Sequence, residues 1–300
     1  MGVADYNIRY NSRMPRLQTP RILTTADHSR DSAALAYVYP VVSRRSGGVS
    51  VGINLNTNSA CNWRCLYCQV PGLKRGSAPT ADLQLLGAEL RGFLRQALHG
   101  DFMVQRVPPE ARRLNDIALS GNGEPTSAPN FDKVVALIGE VMREFDLIGK
   151  IKLVLITNGS LMHRPAVQAG LGEMARLGGE VWFKLDRARA ADVRRINNSR
   201  QSLEKIRERL RIASSLCPTW LQTCIFELDR QAPSAAECGA YLDFVAALPK
   251  EGIALQGVQL YGLARPSLQP EASRLSDVPD AWRENFAAAI RATGLAVKLS

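Results

Sequence analysis

The 300-residue sequence has no apolar run approaching the roughly 18 residues needed to span a bilayer, so no membrane helix is expected. The N-terminus lacks the apolar stretch of a secretory signal, and Tyr6 stands where an N-myristoylation pattern needs Ser or Thr. No cysteine precedes Cys61, and six in the whole chain are too few for a secreted disulfide scaffold. Aromatic residues make up only 6%, which argues against the stacking platform of a single-strand nucleic-acid binder. There is no low-complexity tract and no repeat beyond an alternation of strand-like and helix-like stretches. Acidic residues are short, with 28 Asp and Glu against 38 Lys and Arg, a net charge of +10. That excess is local. Residues 1–45 hold seven Arg against Asp5, Asp27 and Asp31, and residues 187–211 hold nine basic groups against Asp192, Glu204 and Glu208. The remainder balances. With 46% hydrophobic and 22% charged residues the composition is that of an ordinary globular protein, and the expectation is a cytoplasmic one with no membrane partner.

From about residue 50, apolar strand candidates at 51–55, 116–120, 152–157, 180–185, 221–226 and 257–261 alternate with helix candidates near 81–99, 130–146, 165–177, 200–213, 234–247 and 280–293. After Pro129, for example, Phe131, Val134, Val135 and Ile138 recur at helical spacing. About six βα units in order predict a parallel α/β fold, short of the eight that close a full barrel. An open, partial β/α barrel is the reading adopted, although a doubly wound sheet has the same periodicity. Three regions follow. Residues 1–45 form a basic N-terminal extension, 46–264 the partial-barrel core, and 265–300 a C-terminal tail closing with one helix.

The chemistry is concentrated in Cys61-Asn62-Trp63-Arg64-Cys65-Leu66-Tyr67-Cys68, a C-x3-C-x2-C spacing directly after the first core strand. Clustered cysteines in a chain of this kind point to metal. Structural zinc takes four closed ligands, and no fourth Cys or His lies close by. A [4Fe–4S] cluster normally takes one thiolate per iron, so three thiolates in one loop suggest a cluster with one open iron. A zinc knuckle completed by a distant ligand, or three unligated buried cysteines, are the alternatives. Cys217, Cys224 and Cys238 are scattered and read as small buried hydrophobes.

This loop resembles the signature of the radical SAM superfamily, C-x3-C-x-aromatic-C, with Tyr67 in the aromatic place. The resemblance implies that Cys61, Cys65 and Cys68 bind three irons of a [4Fe–4S] cluster and that S-adenosylmethionine (SAM) chelates the fourth. It implies reductive cleavage of SAM to methionine and a 5′-deoxyadenosyl radical that abstracts hydrogen from a substrate, with an electron donor such as a flavodoxin or ferredoxin. Ser120-Gly121-Asn122-Gly123-Glu124-Pro125-Thr126 looks like the superfamily's Gly-Gly-Glu motif. Glycines admit close backbone approach, and the Glu124 carboxylate suits the methionyl ammonium. Gly121, Asn122, Gly123 and Glu124 are therefore expected to bind cofactor. Asn158, at the end of the third strand, is placed to meet the ligand carboxylate or ribose, or to shape a turn. Lys184 and Asp186 share one face of the fourth strand, as contacts to cofactor or substrate or as an ion pair with each other.

A series from 41–56 through the cysteine loop, 120–126, 182–186 and Arg195-Ile196-Asn197 resembles the Fe–S oxidoreductase group that includes wyosine-type tRNA-modifying synthetases, across roughly residues 37–265. Those enzymes carry further N-terminal cysteines that this sequence lacks. The basic 187–211 segment reads either as a phosphate-binding stripe, making tRNA or another polyanion a candidate substrate, or as a solvated helix face. An activase of a glycyl-radical enzyme and a non-enzymatic Fe–S binding protein are the other readings.

Overall fold

The apolar runs form strands because each presents two different faces. In the computed structural model, which describes residues 22–24, 35–43 and 47–300, eight strands make one sheet. They are β1 (Val38–Val42), β2 (Val49–Ile53), β3 (Leu114–Leu119), β4 (Lys152–Thr157), β5 (Glu180–Lys184), β6 (Thr219–Cys224), β7 (Gly257–Tyr261) and β8 (Val297–Leu299). Most of the basic 1–45 segment, with the Arg44-Arg45 pair, lies outside the described residues.

β1 and β2 pair antiparallel, and every later neighbour is parallel. Each strand joins beside its predecessor, so strand order never reverses. A doubly wound sheet reverses at its switch point, which rules that alternative out. Among the described residues β1 and β8 do not pair, so the barrel is open, as expected.

Among the described residues, seven helices of eight or more residues lie along the connections: α1 (Leu83–His99), α2 (Phe131–Glu144), α3 (Pro165–Arg176), α4 (Ala190–Asn197), α5 (Leu203–Leu216), α6 (Ala235–Ala247) and α7 (Asp280–Arg291). Their starts follow local chemistry. Asp82 and Ser202 accept backbone N–H groups of α1 and α5, and Ser234 with Glu237 forms a capping box on α6. Val51, Ile53, Ile117, Leu119, Leu153, Leu155, Val181 and Phe183 face these helices and form the main core with them. The alternate positions Ser50, Asp116, Trp182, Lys184, Gln222 and Tyr261 face the lumen. A closed barrel fills that space with branched apolar side chains; here it is largely polar and open.

The 187–200 stretch contains α4, which the sequence reading left as a connection. Residues 265–300 supply α7 and β8, and β8 extends the sheet beside β7. Among the described residues no helix is long and apolar enough to cross a membrane.

Across the β1–β2 pair, one residue pair packs without room for a side chain. The Tyr39 ring lies on Gly52, where a Cβ would overlap it, and its hydroxyl meets Ser120 Oγ at 2.9 Å. Gly52→Ala should displace the ring and lower stability by about 1–3 kcal/mol, as overpacking does. Unchanged thermal denaturation of that variant would contradict the packing.

Candidate functional site

At the C-terminal ends of the strands, a cavity of about 290 Å³ runs into the lumen. Cys61, Cys65 and Cys68 line it together with Tyr67. Gly121, Gly123, Glu124, Asn158 and Lys184 line it as well. Of the residues expected at the site, Asn122 and Asp186 do not.

The cysteine loop is held from several sides. Cys68 N–H closes a turn on the Cys65 carbonyl at 3.0 Å. Arg64 makes a bidentate pair with Glu271, both bonds 2.8 Å. Ser267 Oγ donates to the Leu66 carbonyl at 2.6 Å, and Gln269 Nε2 to the Cys68 and Val70 carbonyls at 3.3 and 3.2 Å. The 267–271 segment is thus a strap across the loop. All six cysteines are free thiols.

Burial pushes the Cys61 thiol up to about 12, and it pushes Cys65 up to about 11 against the opposing pull of the Lys184 ammonium. A raised thiol stays protonated and unreactive at neutral pH, and gives up its proton when a metal binds.

The 120–126 turn is fastened to the strand that feeds this loop. Gly121 has φ of 151°, and a Cβ there would overlap the Asn54 side chain. A Cβ on Gly123 would overlap the Ala60 carbonyl, one residue before Cys61. Between the glycines, Asn122 N–H donates to Asn54 Oδ1 at 2.9 Å, and Asn122 Oδ1 is buried without a partner. Glu124 is buried and accepts from Thr126 Oγ1 at 2.6 Å, Thr157 Oγ1 at 2.7 Å and Asn158 N–H at 2.6 Å. Burial raises its carboxyl, and these donors pull it back. Asn158 Nδ2 donates to Asn62 Oδ1 at 2.8 Å, and Asn62 Nδ2 to Ser160 Oγ at 2.7 Å, so the end of β4 clasps the cysteine loop.

Lys184 and Asp186 have separate roles rather than forming an ion pair. Lys184 faces the cavity, with Nζ 3.4 Å from Tyr261 Oη and 5.0 Å from the Tyr67 ring centroid. Burial lowers its basicity, but Tyr261 and Asp186 outweigh that, and the ammonium is retained. Asp186, 2% exposed, turns away from the cavity. It accepts from Tyr67 Oη at 2.5 Å, Asn197 Nδ2 at 2.6 Å and Cys224 N–H at 2.9 Å. Asn197 also donates to Cys65 Sγ at 3.3 Å. The sequence reading placed Asn197 in a resemblance series but gave it no role.

The 187–211 basic stripe is largely engaged within the protein. Arg187 and Arg195 pair with Glu237, Arg189 with Asp192, and Arg207 and Arg211 with Glu251, while Arg209 donates to the Ser160 carbonyl. Among the described residues, exposed Arg194, Arg200 and Lys205 have no such partner.

In the metal-free protein, iodoacetamide at about pH 8 should label Cys61 and Cys65 far more slowly than in unfolded chain, and faster as pH rises. Mass spectrometry of the labelled peptides checks this; labelling as fast as in unfolded chain would contradict their burial.

No protein-family model matches the chain. It is 24% identical over 163 residues to "GTPase Obg" of Brachyspira hyodysenteriae, covering 54% of this chain and 21% of that protein. It is 30% identical over 174 residues to a UPF0026 protein of Synechocystis sp., covering 56% of this chain and 54% of that protein. The chain therefore spans about half or less of the length of these curated relatives. Among solved structures it is similar to TYW1 with a lysine–pyruvate adduct bound, at TM-score 0.54 and 15% identity, covering 81% of this chain and 73% of that one. It is also similar to a radical SAM methyltransferase from Sphaerobacter thermophilus, at TM-score 0.56 and 14% identity, covering 84% and 66%. The chain has the open α/β barrel fold of radical SAM enzymes.

Proposed function

We propose that the chain is a radical SAM enzyme, with Cys61, Cys65 and Cys68 holding a [4Fe–4S] cluster and the 120–126 turn, with Asn158, holding SAM. The observation that carries this reading is the meeting of three free thiols with Gly121, Gly123 and Glu124 around one cavity at the strand ends. The donor set fits a cluster. Among the described residues no three Cys, His, Asp or Glu side chains gather around the position of a single metal ion. Three thiols on one cavity are one short of a closed zinc site and suit one thiolate per iron with the fourth iron left open. When bound, cluster and SAM supply a 5′-deoxyadenosyl radical, on one-electron reduction by a donor of the flavodoxin or ferredoxin class, for hydrogen abstraction from a substrate.

The protein's own contribution is positioning and the exclusion of water. The glycines let backbone approach the ligand, and Glu124 offers a fixed carboxylate to an ammonium. Lys184, held as an ammonium, suits an electron-rich or anionic group in the lumen. TYW1 is described with a lysine–pyruvate adduct, but an ammonium is a poor amine nucleophile, so Lys184 is assigned to binding. A polyanionic substrate such as tRNA would meet Arg194, Arg200 and Lys205 on the surface.

Protein reconstituted anaerobically with iron and sulfide should release 5′-deoxyadenosine and methionine when given dithionite and SAM. Cys65→Ala should lose both iron uptake and product. Glu124→Gln should keep the iron and lose roughly tenfold or more in product rate, the equivalent of one charge-assisted hydrogen bond. Wild-type protein with about four irons per chain that makes no 5′-deoxyadenosine would overturn the reading.

A further inference from the structure

Asn197 ends α4 and is 1% exposed, beside Asn198, whose left-handed backbone (φ 51°) stops the helix. A carboxamide nitrogen carries two hydrogens and can serve two acceptors. Asn197 Nδ2 does so, with Asp186 Oδ2 at 2.6 Å and Cys65 Sγ at 3.3 Å. An ionised carboxylate only accepts, so Asp186 fixes which end of the carboxamide faces it. The second N–H is then directed at the sulfur. Asp186 is itself held by the Tyr67 hydroxyl and the Cys224 N–H. The backbone on both sides of Cys65 is held to the same helix end, because Leu66 N–H donates to the Ile196 carbonyl at 2.9 Å and Arg64 N–H to the Asn197 carbonyl at 3.3 Å. Asn197 thus donates to a sulfur of the triad from outside the loop.

We propose that Asn197 is a positioning residue that raises the reduction potential of the cluster through its N–H···S bond to Cys65, an inference that rests on the cluster reading above. When the oxidised cluster accepts one electron from a one-electron reductant, negative charge grows on its thiolate ligands. A fixed N–H dipole at one of them favours the reduced state. No covalent bond changes and no proton moves. Asp186 acts one step further out, by orienting the donor.

The test is an EPR-monitored titration of the reconstituted protein with dithionite and mediators, without SAM. Asn197→Leu keeps the volume and removes the donor. It should lower the equilibrium constant for reduction about tenfold, equivalent to a potential about 59 mV lower for one electron. Asn197→Ala removes the donor with a smaller side chain and no change of charge, and should shift it in the same direction. Arg75→Ala removes a clamp between the same turn and the cysteine loop, a bond of 2.7 Å to the Asn198 carbonyl and one to the Asn62 carbonyl, neither of which touches sulfur, and should leave the potential unchanged. An unshifted potential in iron-loaded Asn197→Leu overturns the proposal, and so does an equal shift in Arg75→Ala. Should Asn197→Leu fail to fold, Asn197→Ala decides, and an unchanged potential there overturns it. Wild-type protein that takes up no iron overturns the cluster reading first and this inference with it.

Discussion

The site depends on one buried carboxylate. Asp186 sits just past the end of β5 and takes hydrogen bonds from the cysteine loop through Tyr67, from α4 through Asn197 and from β6 through the Cys224 backbone. A carboxylate out of water is costly without donors, and three donors from three elements answer that cost. The same requirement ties those elements together. Removing the charge would loosen the cysteine loop without altering any of its sulfurs.

Around that point the barrel separates two kinds of surface. Outward strand positions are apolar and build the core with the helices. Inward positions include Ser50, Asp116, Lys184 and Gln222, and they leave room for a ligand. The steady order of the parallel strands puts the C-terminal ends of β2 to β8 on one rim, so residues distant in sequence, such as Cys61, Glu124 and Asn158, meet there. The 267–271 strap closes the loop from the C-terminal side through Ser267, Gln269 and Glu271.

Much of this was legible beforehand. The strands at 152–157 and 257–261 match their sequence bounds, because apolar runs bounded by turn residues have little other choice. The cysteine spacing and the glycine turn announced the site. Strand order was not legible, since open barrel and doubly wound sheet share one periodicity. α4 escaped because it is short and mostly Arg, Ala and Asp, with only Val193 and Ile196 to mark an apolar face. Asn197 escaped for a deeper reason. Its partner Cys65 is 132 residues away, and a polar residue at a helix end carries no sign of what it will meet. The basic stripe left its two readings open. Its charges were visible, but Glu237 and Glu251, which neutralise several of them, come from later elements.

The central claim is that three cysteines leave one iron open for SAM. Mössbauer spectroscopy of protein reconstituted with 57Fe, before and after SAM is added, tests it most directly. The account predicts that about a quarter of the iron signal changes on SAM addition, because one iron of the four lacks a thiolate. A spectrum indifferent to SAM, or protein that binds zinc and no iron, would contradict it.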